Sequence, residues 1–360
     1  MPCHGKAVAD RTTNDFVYDI TFRHIFDQQE MRLNHLRQLP AGIKDYLFDE
    51  AQARRSVERE ITATLRQHGY REIITPTFEH WDVFAAAGKN GLQDKIYRFL
   101  DREGNLVALR SDFTAQVARI VATKHAALTF PLRLSYSGKV FRFEELHAGR
   151  SRESWQVGFE LLGEPGIEGE VEALTLIIRI LRSLQLRGFQ INLGTMAYFD
   201  SLINQTGLDD KQLEEIKRLL GHKDVDTLHD FLQKTNLPAA TITALTHLVD
   251  LHGGRETLAQ AAASAPNAQA ATAIQHLNQI YDRLEHAGLA ENLVIDLGEV
   301  QGMGYYSGVM IKAYVHGLGY DAGSGGRYDH LVSQFGFDCP AVGFSFDVDR
   351  LVEAVSQTAA

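Results

Sequence analysis

The run from Arg133 to Gly163, RLSYSGKVFRFEELHAGRSRESWQVGFELLG, constrains this chain more than any other stretch. It reads as two β-segments joined by a polar, glycine-containing loop from Glu145 to Ser151. Residues two apart in a strand share a face, so Arg142 and Glu144 point the same way on the first segment. On the second, Trp155, Val157, Phe159 and Leu161 form a face that belongs in a core. Gln156, Gly158 and Glu160 form the opposite face: an amide, a position without a side chain, and a carboxylate. Two readings of that face stand open. If buried, its polar groups need partners, and the row is the floor of a pocket for something small, polar and partly cationic. If the sheet has one wet face, as antiparallel sheets often do, Gln156 and Glu160 simply meet solvent.

At 360 residues the chain has ample length for a real core, as one large domain or two ordinary ones. Its formal net charge of −10 weighs weakly against a protein whose main task is gripping a nucleic-acid backbone. Cys3 and Cys339 are the only cysteines, so neither a disulfide framework nor a cysteine-rich metal site is available. No apolar run approaches the ~20 residues of a membrane span, and the first residues lack the apolar region of a secretory signal. A cytoplasmic protein without membrane contact is expected.

Residues 1–30 show no clear period and are expected to form a weakly ordered extension. A turn-rich lead, Leu39 to Tyr46, enters a helix from about Glu50 to His68, closed by Gly69. A short strand from Glu72 to Thr75 stops at Pro76. Ile96–Leu100 and Leu106–Leu109 flank a hairpin turn, and Asp112 is placed to cap a helix running to about Lys124. Apolar residues from Val171 to Leu184 mark a long helix, Gly169 to Leu186, with a strand from Phe189 to Leu193 after it. Strand signals then vanish. Residues 207–288 read as an all-helical insertion, bracketed by a core over 31–206 and 289–360. Strands resume at Leu293–Leu297 and Tyr305–Val315; Gly323–Asp329 reads as a glycine-rich turn, and Ala341–Phe346 as a last strand before a closing helix. One sheet is expected to gather both halves. His222, His229, His247 and His252 in the insertion lack ligand spacing, so no metal and no cofactor is expected.

These segments have a familiar order. Leu39 to Tyr46 with its helix resembles motif 1 of the class II aminoacyl-tRNA synthetases, and Phe141-Arg142-Phe143-Glu144 with the loop through Gly149-Arg150 resembles motif 2. Gly343-Phe344-Ser345-Phe346 followed by Asp349-Arg350-Leu351 resembles motif 3. Gln156-Val157-Gly158-Phe159-Glu160, Tyr305-Tyr306-Ser307-Gly308 and Gly325-Gly326-Arg327-Tyr328-Asp329 are similar to the histidine-recognising segments of the histidyl branch. The resemblance implies an α+β fold: an antiparallel sheet flanked by helices, with the all-helical insertion. The departures bear on activity. Gln301 stands where the synthetase carries an arginine that helps activate the substrate carboxylate, and Gly304 where it carries an aspartate. A neutral amide does not supply a guanidinium's fork or charge. The sequence also ends ten residues after Arg350, where the synthetase continues into an anticodon-binding domain.

A synthetase-like core of this kind resembles the regulatory subunits of short-form ATP phosphoribosyltransferase. Leu109-Arg110-Ser111-Asp112-Phe113-Thr114 and the ending Pro340 to Asp347 are similar to that family. Membership implies a non-catalytic protein that senses histidine and transmits feedback to a catalytic subunit opening histidine biosynthesis, in a hetero-octamer with four of each. It also implies a two-fold dimer through motif 1, with tRNA not an expected partner. On this reading Glu160 accepts from an imidazole N–H and Gln156 offers either sense. Asp112 and Thr114 suit the α-amino group, Tyr305 and Tyr306 close the pocket, and Arg142 faces the carboxylate or, if ATP still binds, a phosphate. Glu144, Arg150, Arg327 and Arg350 are candidates for a vestigial nucleotide or phosphate site, or for structural anchors. Two alternatives stay open: a truncated histidyl-synthetase-like enzyme that activates histidine with ATP, supported by Arg142 and Arg350, and an amino-acid sensor acting on an unrelated partner.

Overall fold

The computed structural model describes residues 36–88, 93–143, 151–204, 206–300 and 304–359. Met1–Asp45 and Tyr46–Ala360 are two separate units. The described end of the first is a turn in which Ile43 N–H donates to the Pro40 carbonyl at 3.2 Å. The predicted extension over residues 1–30 lies outside the described residues.

In the second unit, chain order is α1 (Phe48–Gln67), β1 (Arg71–Glu72), β2 (Phe78–His80), α2 (Trp81–Ala87), β3 (Arg98–Leu100), β4 (Leu106–Leu109), α3 (Thr114–Lys124), β5 (Leu132–Phe141), β6 (Glu153–Leu162) and α4 (Ile167–Ser183). Then come β7 (Phe189–Thr195), α5 (Met196–Ile203), α6 (Asp210–His222), α7 (Val225–Gln233), α8 (Ala239–His247), β8 (His252–Gly253), α9 (Arg255–Ala263) and α10 (Ala268–His286). β9 (Leu293–Asp296), β10 (Val309–Val315), β11 (Asp321–Arg327), β12 (Ala341–Asp347) and α11 (Val348–Ala359) complete it. Nine strands form one sheet in the order β1-β5-β6-β12-β11-β10-β7-β9-β8, and β2-β4-β3 form a second. Both halves of the chain therefore meet in one sheet, as their patterns suggest.

That sheet is mixed rather than purely antiparallel. β1 pairs with β5, and β7 with β9, in parallel. Each pair is joined by a long connection, through the small sheet and α3 in one case and the helical segment in the other, and parallel pairing requires such a crossover. The helical segment is not strand-free either: His252–Gly253 pairs with β9 at the sheet edge. Two residues are too few to show a period. The glycine-rich run is also a strand, not a turn. β11 lies between β10 and β12, and a Cβ at Gly323 would come 2.7 Å from the Phe344 ring. Glycine there lets a strand pass an aromatic neighbour, where the local sequence suggests a bend. β10 starts only at Val309, leaving Tyr305 in the preceding turn and Tyr306 in the irregular lead to the strand.

The sheet separates two apolar clusters. Behind it, Val157, Phe159 and Leu161 pack with Val57, Ile61 and Leu65 of α1 and with Leu174, Ile177 and Leu181 of α4, continuous with the helices α6–α10. In front, Leu134 and Tyr136 of β5 pack with Phe113, Val117 and Val121 around α3 and with Val83 and Phe84 of α2. Both faces of β6 are thus covered, which removes the reading in which Gln156 and Glu160 meet solvent.

Candidate functional site

The front row of β6 is buried, with Glu160 only 1% exposed and Gln156 9%. Register places Glu160 between Leu134 and Gly343, Gly158 between Tyr136 and Ser345, and Gln156 between Gly138 and Asp347. Two glycines make the room. A Cβ on Gly343 would overlap the Glu160 carboxylate, and one on Gly158 would overlap the Tyr136 ring.

Three hydroxyls converge on Glu160. Thr114 Oγ1 donates to Oε1 at 2.9 Å, Tyr136 OH to Oε1 at 3.1 Å, and Tyr328 OH to Oε2 at 2.6 Å. Among the described residues no lysine, arginine or histidine pairs with it. Burial pushes its pKa up to about 7, against the pull of the three hydroxyl bonds, and the nearby charge of Asp112 adds to the rise. Neutral donors do not offset the cost of a buried charge.

Thr114 reaches this point because it opens α3. Asp112, two residues earlier, accepts from Ala115 N–H at 3.2 Å, the capping role its position suggests. Asp112 is also buried; burial raises its pKa, and the Arg142 charge pulls it back down. Half-buried Arg142 is held by its Nε, which donates to the Ser111 carbonyl at 2.9 Å. Tyr305 and Tyr306 meet edge to face at 5.0 Å, and Tyr305 lies 5.7 Å from Tyr328. Burial lifts both hydroxyls above their ordinary range. A small cavity lies alongside, lined by Phe84, Ile96, Asp112 and Tyr305 among others. Asp112, Thr114, Gln156, Glu160, Tyr305 and Tyr306 thus gather on the sheet's front, with Arg142 at Asp112.

Arg327 does not join them. It sits behind the sheet, 5% exposed, with Nε and Nη2 donating to Glu170 of α4 at 2.7 and 2.6 Å. Its remaining donors go to the Gly166 and Glu164 carbonyls and to Asp329. A guanidinium so consumed is an anchor and leaves no donor for a phosphate, because strand alternation turns it away from the front face. Arg350 is likewise engaged, donating to the Asp321 carbonyl at 2.6 Å and lying 3.4 Å from Asp347. Glu144, Arg150 and Gln301 lie outside the described residues. Among the described residues no group of three or more His, Cys, Asp or Glu is placed to hold a metal ion, and no helix is long and apolar enough to cross a membrane.

Two site residues escape the sequence reading. Tyr136 becomes visible only once the β5–β6 register sets it opposite Gly158. Tyr328 follows Arg327 directly, and the alternation that sends the arginine behind the sheet sends the tyrosine in front.

The histidyl-tRNA synthetase family model matches residues 42–351. The ATP phosphoribosyltransferase regulatory subunit of Moorella thermoacetica is 40% identical over 322 residues, which cover 89% of this chain and 83% of that one. The regulatory subunit of Geobacter sulfurreducens is 38% identical over 320 residues, covering 89% and 73%. Among solved structures, an ATP phosphoribosyltransferase regulatory subunit/histidyl-tRNA synthetase from Bacillus halodurans superposes with a TM-score of 0.80 at 30% identity, covering 89% of this chain and 83% of that one. The histidyl-tRNA synthetase of Nostoc sp. shares the fold at a TM-score of 0.74 and 20% identity, covering 90% and 76%. The chain therefore belongs to the histidyl-tRNA synthetase family and, within it, to the ATP phosphoribosyltransferase regulatory subunits.

Proposed function

We propose that this chain binds free histidine on the front of its sheet and passes the occupancy of that site to a short-form ATP phosphoribosyltransferase catalytic subunit. The observation that carries the reading is Glu160: a buried carboxylate that receives three neutral hydroxyls and no described cation. Such a group favours a ligand that brings an N–H with positive character, and imidazole does so. Among the described residues its Oε2 accepts from Tyr328 alone, leaving acceptor capacity on that oxygen. Asp112 supplies an acceptor for an ammonium, Arg142 a donor for a carboxylate, and Tyr305 and Tyr306 the walls.

The protein works in this reading without chemistry of its own, as one of four regulatory subunits beside four catalytic ones and paired with itself through the α1 region. Arg350, one of the two arginines that favour an ATP-using enzyme, spends its guanidinium on Asp321 and Asp347, which supports the regulatory reading over the catalytic one.

The test mixes this protein with a short catalytic subunit and follows phosphoribosyl-ATP formation with and without histidine. Stimulation that histidine then suppresses is expected. No stimulation and no change in histidine sensitivity would defeat the proposal. Glu160→Gln should weaken histidine binding in calorimetry by about tenfold or more, the loss of one charge-assisted hydrogen bond; unchanged affinity would remove Glu160 from the site.

A further inference from the structure

Arg327 and Tyr328 are consecutive, yet their side chains serve opposite sides of the sheet. Behind it, Arg327 is locked to Glu170 by two bonds. The same Glu170 oxygen that takes Arg327 Nε also contacts Nε2 of His276 at 2.8 Å. Facing a carboxylate already held by a guanidinium, that imidazole nitrogen carries the proton. His276 belongs to α10, the last helix of the helical segment, and its side chain is 36% exposed while Glu170 has none. In front of the sheet, Tyr328 donates to Glu160. A chain of links therefore runs His276–Glu170–Arg327 through side-chain hydrogen bonds, Arg327–Tyr328 through the backbone, and Tyr328–Glu160 through a last hydrogen bond, from the surface of the helical segment to the floor of the pocket.

Each link has little room to adjust on its own. Arg327 is pinned at five acceptors, so a shift of Glu170 drags the end of β11 with it. The Tyr328 backbone is held just beyond that point by its N–H bond to the Ala341 carbonyl at 2.8 Å. Packed interiors transmit such displacements because they have no slack.

We infer that His276, Glu170 and Arg327 are positioning residues for the histidine pocket, so that contact of the helical segment with α4 sets how tightly the pocket holds its ligand. The inference rests on the histidine-binding reading. It gives the helical segment a role in setting affinity and makes His276 the point at which a neighbour seated on α10 would act.

The experiment compares His276→Ala, His276→Gln and Arg283→Ala in the full chain. Arg283 is the control: it also ties α10 to α4, through Glu168, whose carboxylate among the described residues bonds neither Arg327 nor any pocket residue. Histidine affinity is read by calorimetry, and the Tyr328 amide by hydrogen exchange without ligand. His276→Ala should weaken histidine about fivefold and speed exchange at Tyr328, within the range of coupling mutations that touch no ligand. His276→Gln, whose amide can donate to Glu170, should restore both, and Arg283→Ala should change neither. In a Tyr328→Phe background His276→Ala should lose its effect on affinity, since the last link is gone. The inference falls if His276→Ala leaves both readouts at wild type, or if Arg283→Ala reproduces it. Should the wild-type chain bind no histidine, the pocket reading fails, and the exchange of Tyr328 still decides whether the chain of contacts couples the two faces.

Discussion

Glu160 and Glu170 lie on opposite sides of the same sheet, both buried, and the structure satisfies them in different ways. Glu170 receives a guanidinium fork and an imidazole. Burial pushes its pKa up, but the bonds and charges of Arg327 and His276 more than reverse this and leave it at about 2. Glu160 receives three hydroxyls and settles near 7. Among the described residues the hydrogen bonds number three on each side. What differs is charge. A carboxylate balanced by a cation is a finished structural joint, whereas one balanced by neutral dipoles keeps a demand for positive charge. The rear carboxylate is matched by charge, and the front one is not.

The largest expected effect tests the rear. Arg327→Met strands Glu170 with His276 alone and should cost about 3–5 kcal/mol in urea unfolding, the usual penalty for breaking a buried pair from one side. Glu160→Gln should cost no more than about 1 kcal/mol at pH 8, since the amide oxygen still accepts and a hydroxyl facing the amide nitrogen can turn to accept from it. Equal losses would erase the distinction between the two faces.

Stability against pH sharpens it. Glu160 has a folded pKa of about 7 against an ordinary 4.5, so the folded state binds the proton more tightly. Its contribution is complete below 4.5 and is lost as pH rises through 7, by an amount on the order of 3 kcal/mol. Glu170 has the opposite sign: its contribution is present above 4.5 and is lost as pH falls towards 2. Subtracting the profile of Glu160→Gln from wild type between pH 5 and 8 should leave a slope falling with pH. A flat difference would mean that the three hydroxyls stabilise the charge after all.

The front face was readable because a two-residue period is local. Gln156, Gly158 and Glu160 share a side whatever the rest of the chain does, and the helices α1, α3 and α4 announce themselves by their apolar stripes and by Gly69 and Asp112 at their ends. Register was not readable in the same way. Nothing near Tyr136 says that it will stand opposite Gly158, because that depends on where the β5–β6 loop closes. Gly323 to Arg327 misleads for a related reason: glycines that permit a bend also permit close strand packing, and only the neighbours, Phe344 above all, decide which. Arg327 is the sharpest case. Its position in a signature similar to a substrate-binding one suggests a ligand, while its actual partner, Glu170, lies more than a hundred residues away in sequence.

The smallest expected effect concerns Asp112, where the helix cap and the proposed ligand contact fall on one side chain. Asn at this position keeps the oxygen that accepts from Ala115 N–H and gives up the charge beside Arg142. Asp112→Asn should therefore shift stability by less than about 1 kcal/mol, while Asp112→Ala, which also loses the cap, should cost about 1 kcal/mol more. Histidine affinity should follow charge instead. Both variants remove an anionic acceptor for the ammonium and should weaken binding about tenfold alike, the scale of one charge-assisted hydrogen bond. Thermal unfolding and calorimetry on the two variants separate the roles. If Asp112→Asn binds histidine as tightly as wild type, Asp112 serves α3 alone, and the ammonium must look to Thr114 and Glu160.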